Sequence, residues 1–449
     1  MNKYFCLLLS LVAMAAHAGG WAPAGHIDAP CCGSGSKNDL HFGAVIAADL
    51  SPGSNQIRAL YVGAPGFAIT SNGVVYPEAG RVYVYIPTSA GWEQLSYVDA
   101  SEPQAYAHFG AALAMNSGIL VVGEPDYDNQ THTGAGKITL FHDRNRNATT
   151  YMPPAFNGLD MIYGTVDNAR LGASVAIHGD GLATGGGGNW IVAGAPSAGA
   201  GCAFLRYLGD DYSSIDKGSV CGATGGGVFG TSVAVLSLGP SNLFMAVGAS
   251  LEGTTTGAVH VYDLSGGNLA LLSNLAAPNA GQFDFFGSSV AIDNQRLYVG
   301  STGRDKSGVG RTGSVSLFNF GGPNHLTFDT EVFPTTGANP GDLCGAAVYP
   351  NGGGTGFAMG CPGSDAQFSG EGFARVVSPF PFLGGTVWID QVLQMGNLPH
   401  GADDLGRGVA MVGDRVFAGA PLTEDLLGTD NGGVQMFGPD ALFADGFGG

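Results

Sequence analysis

The sequence predicts an all-β protein: a single seven-bladed β-propeller of four-stranded antiparallel blades, its ring closed by the N-terminal strand. Two observations support this prediction: a motif that recurs at a near-constant period, and a gradient of side-chain size across each repeat. The motif is a bulky residue followed by glycine, and it occurs as Phe42-Gly43, Phe109-Gly110, Leu171-Gly172, Phe229-Gly230, Phe286-Gly287, Cys344-Gly345 and Leu405-Gly406. Successive copies are 67, 62, 58, 57, 58 and 61 residues apart, a period typical of propellers and other repeat architectures.

The fifth copy shows the strand pattern of one repeat most clearly. Residues 286–292 and 297–300 are predicted to form two strands around a tight turn at 293–296. Residues 313–318 alternate as a third strand should, and residues 326–333 supply a fourth. Four short strands in each repeat are typical of a propeller blade.

Two further glycine motifs mark the second and third strands of each copy. The second strand ends in a sequence related to Gly-Ala-Pro, where proline ends the strand because it has no N–H for the ladder. These endings begin at Gly63, Gly123, Gly194, Gly248, Gly300, Gly360 and Gly419. The third strands begin at Gly80, Gly136, Gly201, Gly257, Gly313, Gly372 and Gly432.

Side-chain size and the two chain ends predict how the blades are arranged. First strands are rich in glycine, alanine and serine, as expected where blades crowd an axis, whereas Tyr83, Tyr85, Trp92 and Tyr97 suit a wider outer rim. The seventh copy ends after its third strand at Phe437. Residues 27–30 precede the first motif as residues 275–278 precede the fifth, so the N-terminal strand is expected to complete the last blade and leave no open edge.

The chain is expected to comprise a signal peptide (1–18), the propeller (19–437) and a C-terminal tail (438–449). Lys3, the apolar stretch 5–15 and the small-residue site Ala16-His17-Ala18 are typical of a secretory signal peptide. We therefore expect a secreted, periplasmic or cell-surface protein. No segment is long enough to predict a membrane span.

Composition excludes some partners and indicates an oxidising compartment. The formal net charge of −19 argues against nucleic acid and anionic membrane surfaces as partners. Six cysteines follow the predicted signal peptide, an even number that suits an exported protein. Cys202 with Cys221, and Cys344 with Cys361, fall on neighbouring segments and are candidate cross-strand disulfides. Cys31 and Cys32 remain as a vicinal pair or as partners for something else.

The recurring motifs resemble FG-GAP repeats, the blades of the integrin alpha-subunit propeller and of many secreted bacterial proteins. The resemblance implies extracellular binding or adhesion, often with calcium held in an Asp-x-Asp-x-Asp-Gly loop between the first two strands. The corresponding turns here, 115–118, 178–181, 293–296 and 412–415, do not offer three spaced oxygens. We therefore expect no cofactor or metal at that position, with calcium as the alternative that the family supplies.

Two acidic loops between second and third strands are the candidate ligand-binding positions. They contain Asp126, Asp128 and Asn129, and Glu424, Asp425 and Asp430. Oxygen-rich loops of this kind can bind calcium or a polar ligand, and solvated loops have the same composition.

Other polar residues recur just ahead of the first strands. His41 and His108 directly precede the motifs of adjacent blades, where they either share a metal or acid–base role or merely reflect repeat ancestry. Aspartates form either a ring of carboxylates at the channel mouth or acceptors in the turn that enters each blade. These aspartates are Asp39, Asp167, Asp284, Asp342, Asp403 and Asp404.

Function is predicted less closely than fold. No catalytic motif is found, so no catalytic residue is assigned, and the first hypothesis is a non-catalytic binding or adhesion module for an extracellular protein or glycan. The second is a polysaccharide lyase or hydrolase with its site at the channel mouth, built from residues distant in sequence. The third is a structural part of a larger secreted assembly.

Overall fold

The computed structural model describes the greater part of the chain. The described residues are 21–30, 40–51, 56–89, 91–145, 154–179, 188–223, 226–239, 242–265, 268–306, 308–320, 326–335, 339–352, 354–363, 370–382, 385–394, 403–422 and 432–439. They form seven four-stranded antiparallel sheets and one two-stranded hairpin, which confirms the predicted seven-bladed propeller. The predicted signal peptide, Cys31, Cys32, Asp39 and the tail beyond residue 439 lie outside the described residues.

The first three blades follow the predicted strand order. Blade 1 contains β2 (Ile46–Leu50), β3 (Ile57–Ala64), β6 (Arg81–Thr88) and β7 (Gly91–Asp99), with the hairpin β4 (Ile69–Ser71) and β5 (Val74–Tyr76) between β3 and β6. Blade 2 contains β8 (Ala112–Asn116), β9 (Ile119–Glu124), β10 (Lys137–Asp143) and β11 (Phe156–Tyr163). Blade 3 contains β12 (Ser174–Gly179), β13 (Asn189–Ala195), β14 (Cys202–Leu208) and β15 (Ser214–Cys221).

Blades 4 to 6 repeat the same meander. Blade 4 contains β16 (Phe229–Ser237), β17 (Leu243–Ala249), β18 (Ala258–Asp263) and β19 (Ala270–Leu275). Before β18 lies a short turn, Glu252–Thr255, in which Gly253, Thr254 and Thr255 have left-handed backbone. Blade 5 contains β20 (Phe286–Ile292), β21 (Arg296–Ser301), β22 (Ser314–Phe320) and β23 (Leu326–Val332). Blade 6 contains β24 (Ala347–Pro350), β25 (Phe357–Cys361), β26 (Phe373–Phe382) and β27 (Gly385–Leu393).

Blade 7 closes the ring with the N-terminal strand, as predicted. It contains β28 (Val409–Val412), β29 (Arg415–Ala420), β30 (Gly433–Pro439) and β1 (Trp21–Asp28). Trp21 lies opposite Pro439 and Asp28 opposite Gly433 in the antiparallel register. The closing strand begins and ends earlier than the expected segment 27–30, because β30 runs on to Pro439 and offers a partner along this whole length.

Adjacent blades touch through glycine backbone. The second-strand glycine of each blade lies against the motif glycine of the next, so that a Cβ on Gly123 would overlap the carbonyl oxygen of Gly172. The same contact recurs at every junction, including the closing one, where a Cβ on Gly419 would overlap the carbonyl oxygen of Gly43. This close approach explains why the second glycine motif of the sequence tolerates no side chain.

The third glycine motif also serves the blade junctions. Gly80 forms a parallel bridge with Phe109 of the next blade, and Gly432 forms one with Phe42 across the closing junction. At both glycines a Cβ would overlap the backbone of that phenylalanine. The bulky side chain of each motif is thereby seated between two blades, where Phe42, Phe109 and Phe286 are fully buried.

The seven first strands surround an axial cavity. Its volume is about 940 Å³, and residues from β2, β8, β12, β16, β20, β24 and β28 all line it. Most of the lining side chains are alanine, valine, isoleucine, leucine or methionine. The lining differs from the expected glycine, alanine and serine: valine, isoleucine, leucine and methionine outnumber alanine there, and Tyr349 also lines the cavity. Tyr83 and Tyr85 lie on the third strand of blade 1, as the sequence indicated.

The two faces of the propeller carry different connections between strands. We call the face that carries the connections between first and second and between third and fourth strands the turn face. The loop face carries the longer connections between second and third strands and from each blade to the next. Each Phe-Gly motif lies where a first strand leaves the loop face.

Two disulfides form within the described chain, Cys202–Cys221 and Cys344–Cys361, as predicted. Cys202 and Cys221 lie directly opposite each other on β14 and β15. Cys344 precedes β24 instead of lying on it, because it occupies the motif position that bridges to Gly313 of the preceding blade. In the residues that the structure describes, no helix has the length and apolar character needed to cross a bilayer.

The glycine contact between blades predicts the effect of adding one methyl group. Gly123→Ala should lower the free energy of unfolding by about 2–3 kcal/mol or more, because the Cβ meets backbone that cannot move aside without parting two blades. Gly158→Ala on β11 is the control, since its Cβ would enter open space, and it should be neutral or slightly stabilising. Urea denaturation followed by tryptophan fluorescence measures both; equal stability of the two variants would contradict the assignment.

Candidate functional site

Three of the predicted ligand-binding residues lie together on the loop face. Asp126, Asp128 and Asn129 occupy the loop between β9 and β10, where blade 2 meets blades 1 and 3. The other three, Glu424, Asp425 and Asp430, lie outside the described residues. The first group therefore defines the candidate site.

His108 is the centre of the charged network in this region. Its Nδ1 lies 2.8 Å from Asp126 Oδ2, and its Nε2 lies 3.0 Å from Glu78 Oε2. Because both ring nitrogens are hydrogen-bonded, the ring links blade 1 to blade 2. The hydrogen bond to Asp126 is the largest cause that raises the pKa of His108, and the bond to Glu78 adds to it. Arg170 of blade 3 places its Nε 3.0 Å from Asp126 Oδ1, which joins three blades through one carboxylate.

Asp128 and Asn129 hold the shape of the loop. Asp128 Oδ1 accepts a hydrogen bond from the Gly134 N–H at 2.5 Å. Asn129 Oδ1 accepts the N–H groups of Thr131 and His132, both at 2.8 Å, and its Nδ2 donates to the Gly164 carbonyl at 2.6 Å. These bonds order the loop across two blades, and the role of the three residues in ligand binding stays a prediction.

The residue before each motif adopts a left-handed backbone. In all seven described copies its φ lies between 48° and 59°. The carbonyl of His108 accepts a hydrogen bond from the Ala111 N–H at 3.1 Å, and the equivalent bond joins His41 to Ala44 at 3.1 Å. The repeated turn is thus an architectural feature that brings each chain segment from the loop face into its first strand.

The side chains at this left-handed position differ around the ring. Blades 7, 1, 2 and 3 carry polar side chains there and blades 4, 5 and 6 carry apolar ones. In order from blade 7, these residues are Asp404, His41, His108, Arg170, Val228, Phe285 and Leu343. Burial raises the pKa of Asp404, and the nearby charges of Arg407 and His41 oppose that rise. At this one position the ring therefore has a charged arc, in blades 7, 1, 2 and 3, and an apolar arc, in blades 4, 5 and 6.

The aspartates one position earlier act as turn acceptors. Asp284 Oδ2 accepts the Gly281 N–H at 2.6 Å, and Asp342 Oδ2 accepts the Asn339 N–H at 2.8 Å. Asp284, Asp342 and Asp403 are all buried. For Asp284 and Asp342 the structure supports the turn role in preference to a ring of carboxylates at the channel mouth. No group of three or more histidine, cysteine, aspartate or glutamate side chains within the described ranges is arranged to hold a metal ion.

Two exposed aromatic residues on the loop face were missed by the sequence reasoning. Tyr106 and Phe283 lie three positions before their motifs, are 56% and 51% exposed, and have φ of 62° and 67°. Asn168, Gly226 and Gly341 take the same position in blades 3, 4 and 6, and these residue types tolerate a left-handed backbone far better than an aromatic residue does. The seven repeats, aligned on their motifs, already contain a sequence signal for these two residues. The signal is an aromatic residue at a position where other blades have asparagine or glycine.

Further exposed apolar side chains accompany these two. On the loop face they are Val74 and Val75 of the β4–β5 hairpin, Val166 and Leu251. Leu251 and Phe283 belong to connections that touch each other, since the Phe283 N–H donates to Thr255 Oγ1 at 3.2 Å.

Blade 2 also contains a buried ion pair. Glu124 replaces the alanine of the Gly-Ala-Pro ending, and its Oε2 lies 2.9 Å from Lys137 Nζ with both side chains fully buried. Burial raises the pKa of Glu124 to about 7, although Lys137 opposes that rise. The Lys137 ammonium also lies 3.8 Å from the centre of the Tyr127 ring and 3.9 Å from Glu102 Oε2.

The polar residues at the turn-face end of the axial cavity join neighbouring blades. The Ser237 N–H lies 3.3 Å from His178 Nδ1, the Gly354 N–H donates to Asp293 at 3.2 Å, and Asn351 Nδ2 donates to the Gly413 carbonyl at 3.0 Å. Burial lowers the pKa of His178. These groups bind the turns of successive blades to one another.

The comparison with protein-family models agrees with the motifs of one repeat. Residues 271–318 match the family model of the FG-GAP repeat, so the chain carries an FG-GAP repeat within a seven-bladed propeller. The crystal structure of Chaetomium thermophilum Sqt1 aligns with a TM-score of 0.49 and 15% identity over 88% of this chain and 82% of that chain. The β-propeller domain of Myceliophteria thermophila Cps50 (Swd1) aligns with a TM-score of 0.48 and 8% identity over 84% of this chain and 92% of that chain. No curated protein sequence matches the chain.

The buried pair in blade 2 predicts a strongly non-additive response. Glu124→Ala restores the residue usual at this position but leaves the buried Lys137 ammonium with only the more distant Glu102 carboxylate, so it should lower the free energy of unfolding by up to about 3–5 kcal/mol. The double variant Glu124→Ala with Lys137→Met should regain most of that loss. Chemical denaturation of the four proteins completes the cycle, and additive single effects would contradict the coupling.

The His108 network predicts a pH-dependent contribution to stability. Because its folded pKa is raised above the ordinary value of 6.5, the contribution of His108 should be complete below pH 6.5 and be lost as pH rises through the folded pKa. The difference in thermal unfolding temperature between wild type and His108→Gln should therefore shrink as pH increases.

His178 serves as the control of opposite sign for that measurement. Its folded pKa is lowered by burial, so its contribution should be lost as pH falls below 6.5. Parallel pH profiles for His108→Gln and His178→Gln would contradict both assignments.

Proposed function

We propose that the protein is an exported binding module without catalytic turnover, and that its loop face receives an extracellular protein or glycan. The observation that carries this proposal is the pair of exposed aromatic side chains, Tyr106 and Phe283, held in left-handed backbone on that face. An aromatic residue in this conformation costs stability, and such local strain is concentrated at functional sites.

The surroundings of the two residues support the same face. Tyr106 lies next to the charged arc, with His108 two positions later, and Phe283 lies next to the apolar arc, with Phe285 two positions later. A surface with apolar anchors beside charged groups is typical of a protein-binding patch. The turn-face residues Asp293 and Asn351, by contrast, are engaged in bonds between blades.

Other features fit an extracellular role. The two disulfides suit an oxidising compartment, in accord with the predicted signal peptide. The net charge of −19 favours solubility and disfavours polyanionic partners. An extracellular binding module is also what the FG-GAP resemblance implies.

A binding assay with face-specific variants tests the proposal. The wild-type protein is titrated onto immobilised collagen, fibronectin, laminin, cellulose, chitin and pectin, and polysaccharide products are assayed in parallel. We expect saturable binding to at least one surface with no release of products. The loop-face variant Tyr106→Asn/Phe283→Asn should lose that binding by at least about tenfold, the loss expected for a pair of anchor residues.

Tyr212→Asn is the matched control on the opposite face. Tyr212 is also an exposed aromatic residue with left-handed φ, 61°, but it lies on the turn face and its hydroxyl is 2.7 Å from His142 Nε2. This variant should bind as the wild type does. Binding that survives the loop-face variant and disappears with Tyr212→Asn, or steady release of sugar products, would overturn the proposal.

A further inference from the structure

We propose that the loop face contains a carbohydrate subsite beside Tyr106, formed by the connection from β7 to β8 and the β9–β10 loop of blade 2. This inference rests on the proposed function and assigns a ligand class to one part of the loop face.

The Tyr106 ring is available to a ligand. Its side chain is 56% exposed and makes no ring stack or hydrogen bond with the described residues. Its backbone is nevertheless held, because the Tyr106 N–H donates to the Pro77 carbonyl at 2.8 Å. An anchored backbone that presents a solvated aromatic ring loses little conformational entropy when a ligand stacks on it.

Polar groups on both sides of Tyr106 are already oriented by protein bonds. Two residues before Tyr106, Gln104 makes two hydrogen bonds with the backbone of Asp128. Its Nε2 donates to the Asp128 carbonyl at 3.1 Å, and its Oε1 accepts the Asp128 N–H at 2.6 Å. On the other side His108 binds Oε2 of Glu78. Asp128 Oδ2 and Glu78 Oε1 remain without a hydrogen-bond donor among the described residues, so each is a preorganised acceptor.

The ring and the acceptor oxygens together indicate the class of ligand. His108 pairs with Glu78 and Asp126, and Arg170 also pairs with Asp126, whereas Asp128 pairs with no cation among the described residues. A ligand that uses all of these groups needs hydroxyl donors for the acceptor oxygens and a flat apolar face for the aromatic ring. A neutral pyranose has both features, with hydroxyl groups at its rim and C–H groups on one face.

Isothermal titration with neutral oligosaccharides tests the subsite. The full-length protein is titrated with di- to tetrasaccharides of glucose, galactose, mannose and N-acetylglucosamine, and with tetralysine as a cationic probe. We expect at least one sugar to bind with a dissociation constant in the millimolar range or tighter. Tyr106→Asn should weaken that binding by about tenfold or more, whereas Tyr106→Phe should retain it because the ring is kept.

Thermal unfolding separates binding from folding in this test. Asparagine accepts the left-handed backbone better than tyrosine, so Tyr106→Asn should unfold at the same temperature as wild type or higher. Tyr212→Asn should bind the sugar unchanged. If no sugar binds, if Tyr106→Asn binds as wild type does, or if tetralysine displaces the sugar at Tyr106, the subsite is wrong.

Failure of this inference can be told from failure of the proposed function. Binding to an immobilised matrix protein that is lost in Phe283→Asn, with no sugar bound, would overturn the carbohydrate subsite and leave the binding module intact. Absence of binding to every sugar and every immobilised surface would overturn both.

Discussion

The contact on which the whole ring depends is a backbone-to-backbone approach of glycines in adjacent blades. The second-strand glycine of one blade meets the motif glycine of the next, as Gly123 meets Gly172 and Gly419 meets Gly43. No side chain fits at this distance, so the position must be glycine in every blade. The approach brings the flanking bulky residues, such as Phe109, into the space between two sheets, where they are fully buried. The periodic glycines and the buried phenylalanines are therefore two consequences of one spacing.

The same spacing determines what the loop face presents. The chain must turn sharply to enter each first strand, and it does so through a left-handed residue whose carbonyl accepts a hydrogen bond from the third residue beyond it. The backbone at this position is therefore the same in every blade, while the side chain varies. Binding residues commonly lie on loops that a rigid scaffold positions in this way. A second left-handed position, three residues before the motif, holds Asn168 in blade 3 and Gly226 in blade 4, residue types that adopt this backbone readily. Tyr106 and Phe283 occupy it in blades 2 and 5, and their exposure on the loop face together with this backbone supports the proposed role in recognition.

Charged residues are scarce in this chain, and several of them are buried at blade junctions. Arg58 of blade 1 joins Asp49 of its own blade to Asp143 of blade 2, and all three are almost fully buried. Arg375 and Asp390 form a second fully buried pair within blade 6. Because two charges removed from water gain little net energy from each other, such pairs contribute more to the choice of neighbour than to overall stability.

The number of blades, the order of their strands and the closing of the ring were determined by the sequence alone. They follow from a period near sixty residues and from glycine positions that local backbone geometry requires. The pairing of Cys202 with Cys221 was equally accessible, because both lie in neighbouring segments of one blade. Local spacing is enough where the contact lies within one repeat.

Only the tertiary structure decided which partners the loop residues contact and which side chains are exposed. Asp126 belongs to the loop that the sequence indicated, but its partners His108 and Arg170 come from the connections that enter blades 2 and 3. The exposure of Tyr106 depends on the same packing between blades. Contacts between separate repeats are set by the ring as a whole, and no spacing within a single repeat contains them.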